Sequence, residues 1–448
     1  RGDCGVSFLR MDTLEQLRSG ALAGATRVAL SCGLETVPPE LFGLADTLQT
    51  LDLSGNRLSS LPDDLGRFTQ LRILFCSLNA FTRLPEVLGQ CPSLEMIGFR
   101  TNRIADLPAD SLPRKLRWLI LTGNCIESLP DRLSQCDALQ KLMLAGNRLS
   151  ALPESMQACE RLELLRLSAN RFEALPAWLL RLPRLSWLGF SGNPCSDARE
   201  RDAQASVHSP VVRWDALEIL ETLGSGASGV IHRAIWREGR AARDVAVKVF
   251  KGALTSDGLP HSEMVAWLAA GSHPGLIGVL GRIVGHPQGA EGLVMPLVDA
   301  SYTVLAGPPS MQSCTRDVYD PGLSLSPEAA RRIALRVAGA AAQLHAHGIL
   351  HGDLYAHNIL HNQLGDALLG DFGAATFFDS DNGQGRRFES LDVRAFGCLL
   401  EELVDRTGPQ GAVAPNPNAL TALRDACLQP DPAMRPSFAD LCASLAAA

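Results

Sequence analysis

Apolar positions in the first half of the chain follow a fixed rhythm. The leucines that open each unit fall at Leu48, Leu71, Leu94, Leu116, Leu139, Leu162 and Leu185, spaced 23, 23, 22, 23, 23 and 23 residues, with a degenerate unit at Ala25. Within Leu48–Leu58 the apolar residues alternate at Leu51 and Leu53, the two-residue period of a short strand, before a polar turn. Asparagine recurs in one register at Asn56, Asn79, Asn102, Asn124, Asn147, Asn170 and Asn193. A buried amide there satisfies backbone groups that an aliphatic residue would leave unmet. Leu-Pro recurs from Leu61-Pro62 and Leu84-Pro85 to Leu175-Pro176, and proline stiffens the return segment. Residues 11–24 have helical spacing and are expected to cap the open N-terminal end. Residues 1–10 carry no pattern and read as a leader or remnant.

Side chains between the signature leucines alternate outward. They are Ile73, Phe75, Met96, Trp118, Ile120, Met143, Leu164 and Trp187, an apolar, partly aromatic strip. Such a strip on a solvated face usually marks a contact site for a protein partner, a regulator or the chain's own second half, the alternative being that flanking side chains cover it and nothing binds. From Ser196 to Arg213 the rhythm gives way to polar residues with charges of both signs, read as a linker. Beyond it, Val245–Lys248 and Gly292–Val298 read as apolar strands. Ser326-Pro327-Glu328 opens a helix running to His347, with a capping serine and proline in the first turn, and Leu391–Gly397 reads as another helix.

A chain of 448 residues is too long for one core, so two or three domains are expected. With 46% hydrophobic and 20% charged residues it should fold. The net charge of −7 argues against a nucleic-acid binder and gives no sign of a general basic membrane patch. No apolar run approaches the ~20 residues of a membrane helix, so a soluble, cytoplasmic protein without a membrane partner is expected. The twelve cysteines form no C-x-x-C pair. Cys91, Cys136 and Cys159 share one register and read as buried, reduced thiols.

Leu48–Leu58 matches L-x-x-L-x-L-x-x-N-x-L, and the array resembles the leucine-rich-repeat solenoids. The resemblance implies stacked strands lining the concave side of a curved array. The second half resembles the protein kinases. Leu223-Gly224-Ser225-Gly226-Ala227-Ser228-Gly229-Val230-Ile231 matches their glycine-rich loop, Val245-Ala246-Val247-Lys248 their lysine strand, and His351-Gly352-Asp353-Leu354-Tyr355-Ala356-His357-Asn358 with Asp371-Phe372-Gly373 their catalytic and metal loops. The fold class implied is an α/β solenoid plus an α+β two-lobed protein-kinase-like domain. Its divisions are a capping segment at 1–24, repeats at 25–195, a linker at 196–213 and a kinase-like domain at 214–448.

That resemblance assigns roles. Lys248, paired with Glu263, holds the α- and β-phosphates of ATP, Asp353 accepts the proton of the attacking hydroxyl, and Asn358 and Asp371 ligate Mg²⁺. Gly224, Gly226 and Gly229 lie over the triphosphate. Leu223, Ile231 and Ala246 form the adenine ceiling, Leu360 its floor, Met295 its back wall, and Val298 the backbone edge. His351 is expected to be structural, and His345, His347 and His357 have no metal-ligand spacing with a carboxylate and read as carrying no chemistry. Asp392 is expected to tie its helix to the catalytic loop, and Glu389 to partner Arg435 in place of a missing Ala-Pro-Glu.

Three departures change the picture. Gly352 replaces the arginine that answers a phosphorylated activation segment, Tyr355 replaces a lysine, and only Ala374 to Leu391 separates metal loop from helix. His-Gly-Asp with a trimmed segment also occurs in aminoglycoside kinases. The readings in play are therefore an ATP- and Mg²⁺-dependent protein kinase of Ser/Thr type recruited or regulated through its repeats, a small-molecule phosphotransferase, and a pseudokinase scaffold. The overall plan is similar to the leucine-rich-repeat kinases of bacteria.

Overall fold

The computed structural model describes residues 11–252, 254–380, 383–407 and 418–447, so residues 1–10, read as a leader or remnant, lie outside it. Described residues up to 184 form one compact unit, and those from Leu185 onward another.

In the first unit the strands Arg27–Ala29, Thr50–Asp52, Ile73–Phe75, Met96–Gly98, Trp118–Ile120, Lys141–Met143 and Leu164–Arg166 pair in parallel, each with the next. The asparagines do what their register implied. Asn147 donates to the carbonyls of Leu121 and Leu144 at 2.9 Å and accepts from the amide of Ile126 at 3.1 Å. Each amide therefore ties one repeat to the next. Asn147→Leu should destabilise this unit by about 1–3 kcal/mol, the cost of leaving buried backbone groups unpaired, measured as a lower urea midpoint. Cys91, Cys136 and Cys159 are buried free thiols, and burial lifts the first two to about 11 and the third to about 12. The helical segment at 11–24 is short, Leu14–Arg18, closed by a capping box between Thr13 and Gln16.

The apolar strip is not an open surface. Phe75, Met96, Trp118, Ile120, Met143, Leu164 and Trp187 are each at most 7% exposed. Strand alternation fixed which face these residues share but not what lies against them. The Phe75 ring lies where a Cβ on Gly98 would stand, 2.5 Å from its Cδ1, and the Lys141 ammonium sits 4.1 Å from the Trp118 ring centroid.

The second unit holds a six-stranded sheet, ordered Leu217–Ser225, Gly229–Glu238, Ala241–Phe250, Gly292–Pro296, Gly281–Val284, Val211–Arg213. Val212, Leu217, Ala234, Trp236, Val245, Val247, Ile283 and Val294 form its core. Helices Pro327–Ala346, Gly385–Val404, Asn418–Cys427 and Phe438–Ala447 make the second lobe. Two features differ from the sequence reading. The stretch at 196–213 is mostly the helix Pro194–Ser206 followed by a strand of the sheet, and the helix read at Leu391 already starts at Gly385. Among the described residues no helix is long and apolar enough to cross a membrane.

Candidate active site

Lys248 sits near the end of the strand Ala241–Phe250 but between two neighbouring strands, its backbone opposite Ile231 on one side and Leu293 on the other. An ammonium there is 5% exposed and needs compensation, which comes from Glu263 on the helix Pro260–Ala269, itself 1% exposed. Proline at the first turn starts that helix, and its first turn carries the acid. Burial raises the Glu263 carboxyl above its ordinary value, Lys248 opposes the shift and Asp371 adds to it. The Lys248 ammonium also stands 5.1 Å from the Trp267 ring and 5.2 Å from that of Phe250.

The glycine-rich segment is the turn between two antiparallel strands, with Gly226 N–H donating to Gly229 O at 2.9 Å. Its glycines have different reasons. A Cβ on Gly229 would stand 2.6 Å from Val249 O, so neighbouring backbone excludes a side chain there. Around Gly224 and Gly226 a Cβ would meet nothing within 4 Å, so space and not neighbouring backbone lies beside these two glycines. Ala246 faces Met295 across the sheet, both buried, while Val298 follows that strand and Leu360 lies in the short strand Ile359–His361. Leu223 is half exposed at the rim.

The catalytic loop is built on buried anchors. Asp392 accepts the amides of His351 at 2.8 Å and Gly352 at 3.0 Å, and it also meets His345 Nε2 at 3.0 Å. His351 accepts the Asp353 amide on Nδ1 at 3.2 Å, so its Nε2 donates to Gly370 O at 3.1 Å, which defines a neutral, structural imidazole. Asn358 Nδ2 donates to both the carbonyl and Oδ2 of Asp353 at 2.9 Å. This fixes the carboxylate and leaves the amide oxygen as the ligand atom. Gly370 N–H binds Asn358 O at 3.0 Å, which brings the loop with Asp371 alongside. Asp371 takes a positive φ of 53° and accepts the Gly373 amide at 3.1 Å. No cluster of three His, Cys, Asp or Glu suited to a metal exists among the described residues. A divalent cation here would use one carboxylate, one amide oxygen and oxygens from a phosphate, the habit of Mg²⁺.

Several anchors lie outside the sequence reading. Trp267, one turn after Glu263, stacks on Phe372 at 5.0 Å and Phe372 meets His351 at 5.4 Å, an aromatic column joining the helix, the metal loop and the catalytic loop. His345 and His357 each meet a carboxylate, Asp392 and Asp317, brought in from distant chain positions. Burial alone would lower the His357 imidazole, but the hydrogen bond and charge of Asp317, with Asp353 and Asp371 adding, hold it above its ordinary value. Glu389 pairs with Arg386, whereas the buried Arg435 donates to Ser390 O at 3.0 Å and Gln429 O at 2.9 Å.

Comparison with known proteins agrees with this geometry. Residues 217–394 match the family described as protein tyrosine and serine/threonine kinase, and residues 47–68, 114–172 and 137–194 match leucine-rich-repeat families. The serine/threonine-protein kinase PkaA of Streptomyces coelicolor is 29% identical over 276 residues, 50% of this chain and 48% of PkaA. A probable serine/threonine-protein kinase of Dictyostelium discoideum is 26% identical over 224 residues, 46% of this chain and 13% of that protein. This chain thus spans at most about half the length of these relatives. A leucine-rich-repeat protein structure from Leptospira interrogans matches 41% of this chain and 47% of its own at 29% identity, with a TM-score of 0.38. The second unit is built on a protein kinase domain. With the repeats ahead of it, the chain is a leucine-rich-repeat protein carrying a kinase domain related to serine/threonine kinases.

Proposed function

We propose that this chain transfers the γ-phosphate of ATP to a serine or threonine hydroxyl of a protein, with Mg²⁺ required. The observation that carries the reading is the buried Lys248–Glu263 pair in the same unit as an Asp353 carboxylate held by Asn358. An isolated buried lysine–glutamate pair is a weak stabilising device, so its presence beside a glycine turn favours a functional role. Lys248 holds the α- and β-phosphates, the amides of the glycine turn cover the chain of phosphates, and Asp353 takes the acceptor's proton. Asn358 and Asp371 hold Mg²⁺, whose charge offsets that developing on the transferred group. The free thiols among the described residues support a reducing compartment, and the repeats are proposed to recruit a protein partner.

Incubation with Mg²⁺, labelled ATP and a generic protein substrate is expected to label protein. Label on a metabolite would favour the small-molecule reading, which the short segment after Gly373 leaves room for, and no label the scaffold. Because Gly352 stands where a phosphate-binding arginine would, phosphatase treatment should leave the rate within about twofold. A treated sample that is dead and revived by phosphorylation would sink that expectation.

A further inference from the structure

The stretch from Leu185 to Ser206 precedes the residues matched by the kinase family, yet it meets three parts of the catalytic apparatus. Trp187, placed by sequence on an open face, lies flat on Tyr355, ring centroids 4.2 Å apart and planes 7° from parallel. Its Nε1 donates to Leu354 O at 3.1 Å, so the ring is fixed at both its face and its edge. The next residue presses on the same loop, for Leu188 O occupies the place a Cβ on Gly352 would need. Gly352, at φ 68°, is therefore glycine for two reasons, its backbone angle and the strand lying against it. Phe190 N–H donates to Thr376 Oγ1 at 3.1 Å in the segment after the metal loop, its ring stacks on Phe388 at 5.4 Å, and Arg394 donates to Ser186 Oγ at 2.7 Å.

The helix Pro194–Ser206 continues the pattern. It packs on the helix Pro260–Ala269, where Ser262 Oγ donates to Glu200 Oε1 at 2.9 Å, one residue from Glu263. Arg199 pairs with Asp379 at 2.7 Å. Glu200 is a costly residue for mere packing, since its Oε2 is buried and has no hydrogen-bond partner among the described residues. A polar bond to the side chain beside Glu263 fixes the rotation of that helix, which an apolar contact would leave free to slide.

We propose that residues 185–206 are a built-in clamp on the catalytic geometry, with Trp187 the positioning residue for the catalytic loop and Glu200 that for the helix carrying Glu263. The clamp rests on the kinase reading and supplies what Gly352 removes. Where an arginine would couple the loop to a phosphorylated segment, the end of the repeat array holds loop, segment and helix directly. The terminal repeat is then part of the catalytic module rather than of a detachable recruiting arm.

The test uses the full chain with Trp187→Ala, Trp187→Phe, Glu200→Ala and Glu200→Gln. Trp187→Ala should lower kcat at least about tenfold with KM for ATP within about twofold, because a displaced loop misaligns the proton acceptor and not the nucleotide pocket. Trp187→Phe, which keeps a ring on Tyr355, should stay within about threefold of the parent kcat. Glu200→Ala should raise KM for ATP several-fold, and Glu200→Gln, which still accepts from Ser262, should restore it. Amide exchange across residues 351–358 should quicken in Trp187→Ala and not in Trp187→Phe. Equal or higher activity in Trp187→Ala, or unchanged exchange there, overturns the clamp. A parent chain that transfers no phosphate defeats the kinase reading alone, since the exchange measurement still decides the clamp.

Discussion

Asp353→Asn is expected to slow phosphoryl transfer about a thousandfold while ATP binds within about twofold of the parent, since a positioned general base contributes about 10²–10⁴-fold. The substitution is nearly isosteric. Asparagine's carbonyl oxygen can still accept from Asn358 Nδ2, now 2.9 Å from Asp353 Oδ2, and the backbone amide still reaches His351 Nδ1. The loop keeps its anchors on Asp392. What disappears is the basic oxygen and one negative charge near Asp371, so the loss falls on the chemical step. Lys248, Glu263 and the glycine turn are untouched, which is why affinity for nucleotide should hold. Single-turnover transfer of labelled phosphate and titration with a fluorescent ATP analogue separate the two quantities. Retention of more than about a tenth of the parent rate would remove Asp353 from proton transfer.

The residues legible from sequence alone were those whose physics is local or whose cost demands a partner. A lysine among valines cannot stay buried and unpaired, so Lys248 called for an acid, which the kinase resemblance identified as Glu263, and the asparagine register announced its backbone bonds. Trp187 was misjudged because alternation along a strand tells which face a side chain shares and nothing about what lies against it. Its partners, Leu354 and Tyr355, stand more than 160 residues away in the chain. The helix Pro194–Ser206 was read as a linker because its polar residues show no apolar stripe. The signal overlooked was Asn193-Pro194, a capping asparagine with proline at the first turn. The acids facing His345 and His357 are 47 and 40 residues from them, beyond any local spacing rule. Trp267 was within reach, because four residues after Glu263 on a helix is the same face.

The buried pair gives the other large effect. Lys248→Met is expected to abolish detectable transfer and to destabilise the protein by about 3–5 kcal/mol near neutral pH, because Glu263 loses the charge that compensates it. The deficit should depend on pH with a definite sign. Burial already raises the Glu263 carboxyl in the folded chain, Asp371 adds to that, and Lys248 is the group pulling it down. Without the lysine the folded carboxyl rises further above its unfolded value of about 4.3. A group that holds its proton more tightly when folded favours the folded state below the unfolded pKa, and that advantage is lost as pH rises through the folded pKa. Subtracting the variant's stability from the parent's should therefore give a gap smallest near pH 4.5 and widening towards pH 8, read from urea midpoints at a series of pH values. Adding Glu263→Gln to Lys248→Met removes the titrating carboxyl and should flatten the gap, although transfer stays lost. A gap that is constant with pH in the single variant would mean the lost methylene packing, and not the stranded carboxylate, sets the cost.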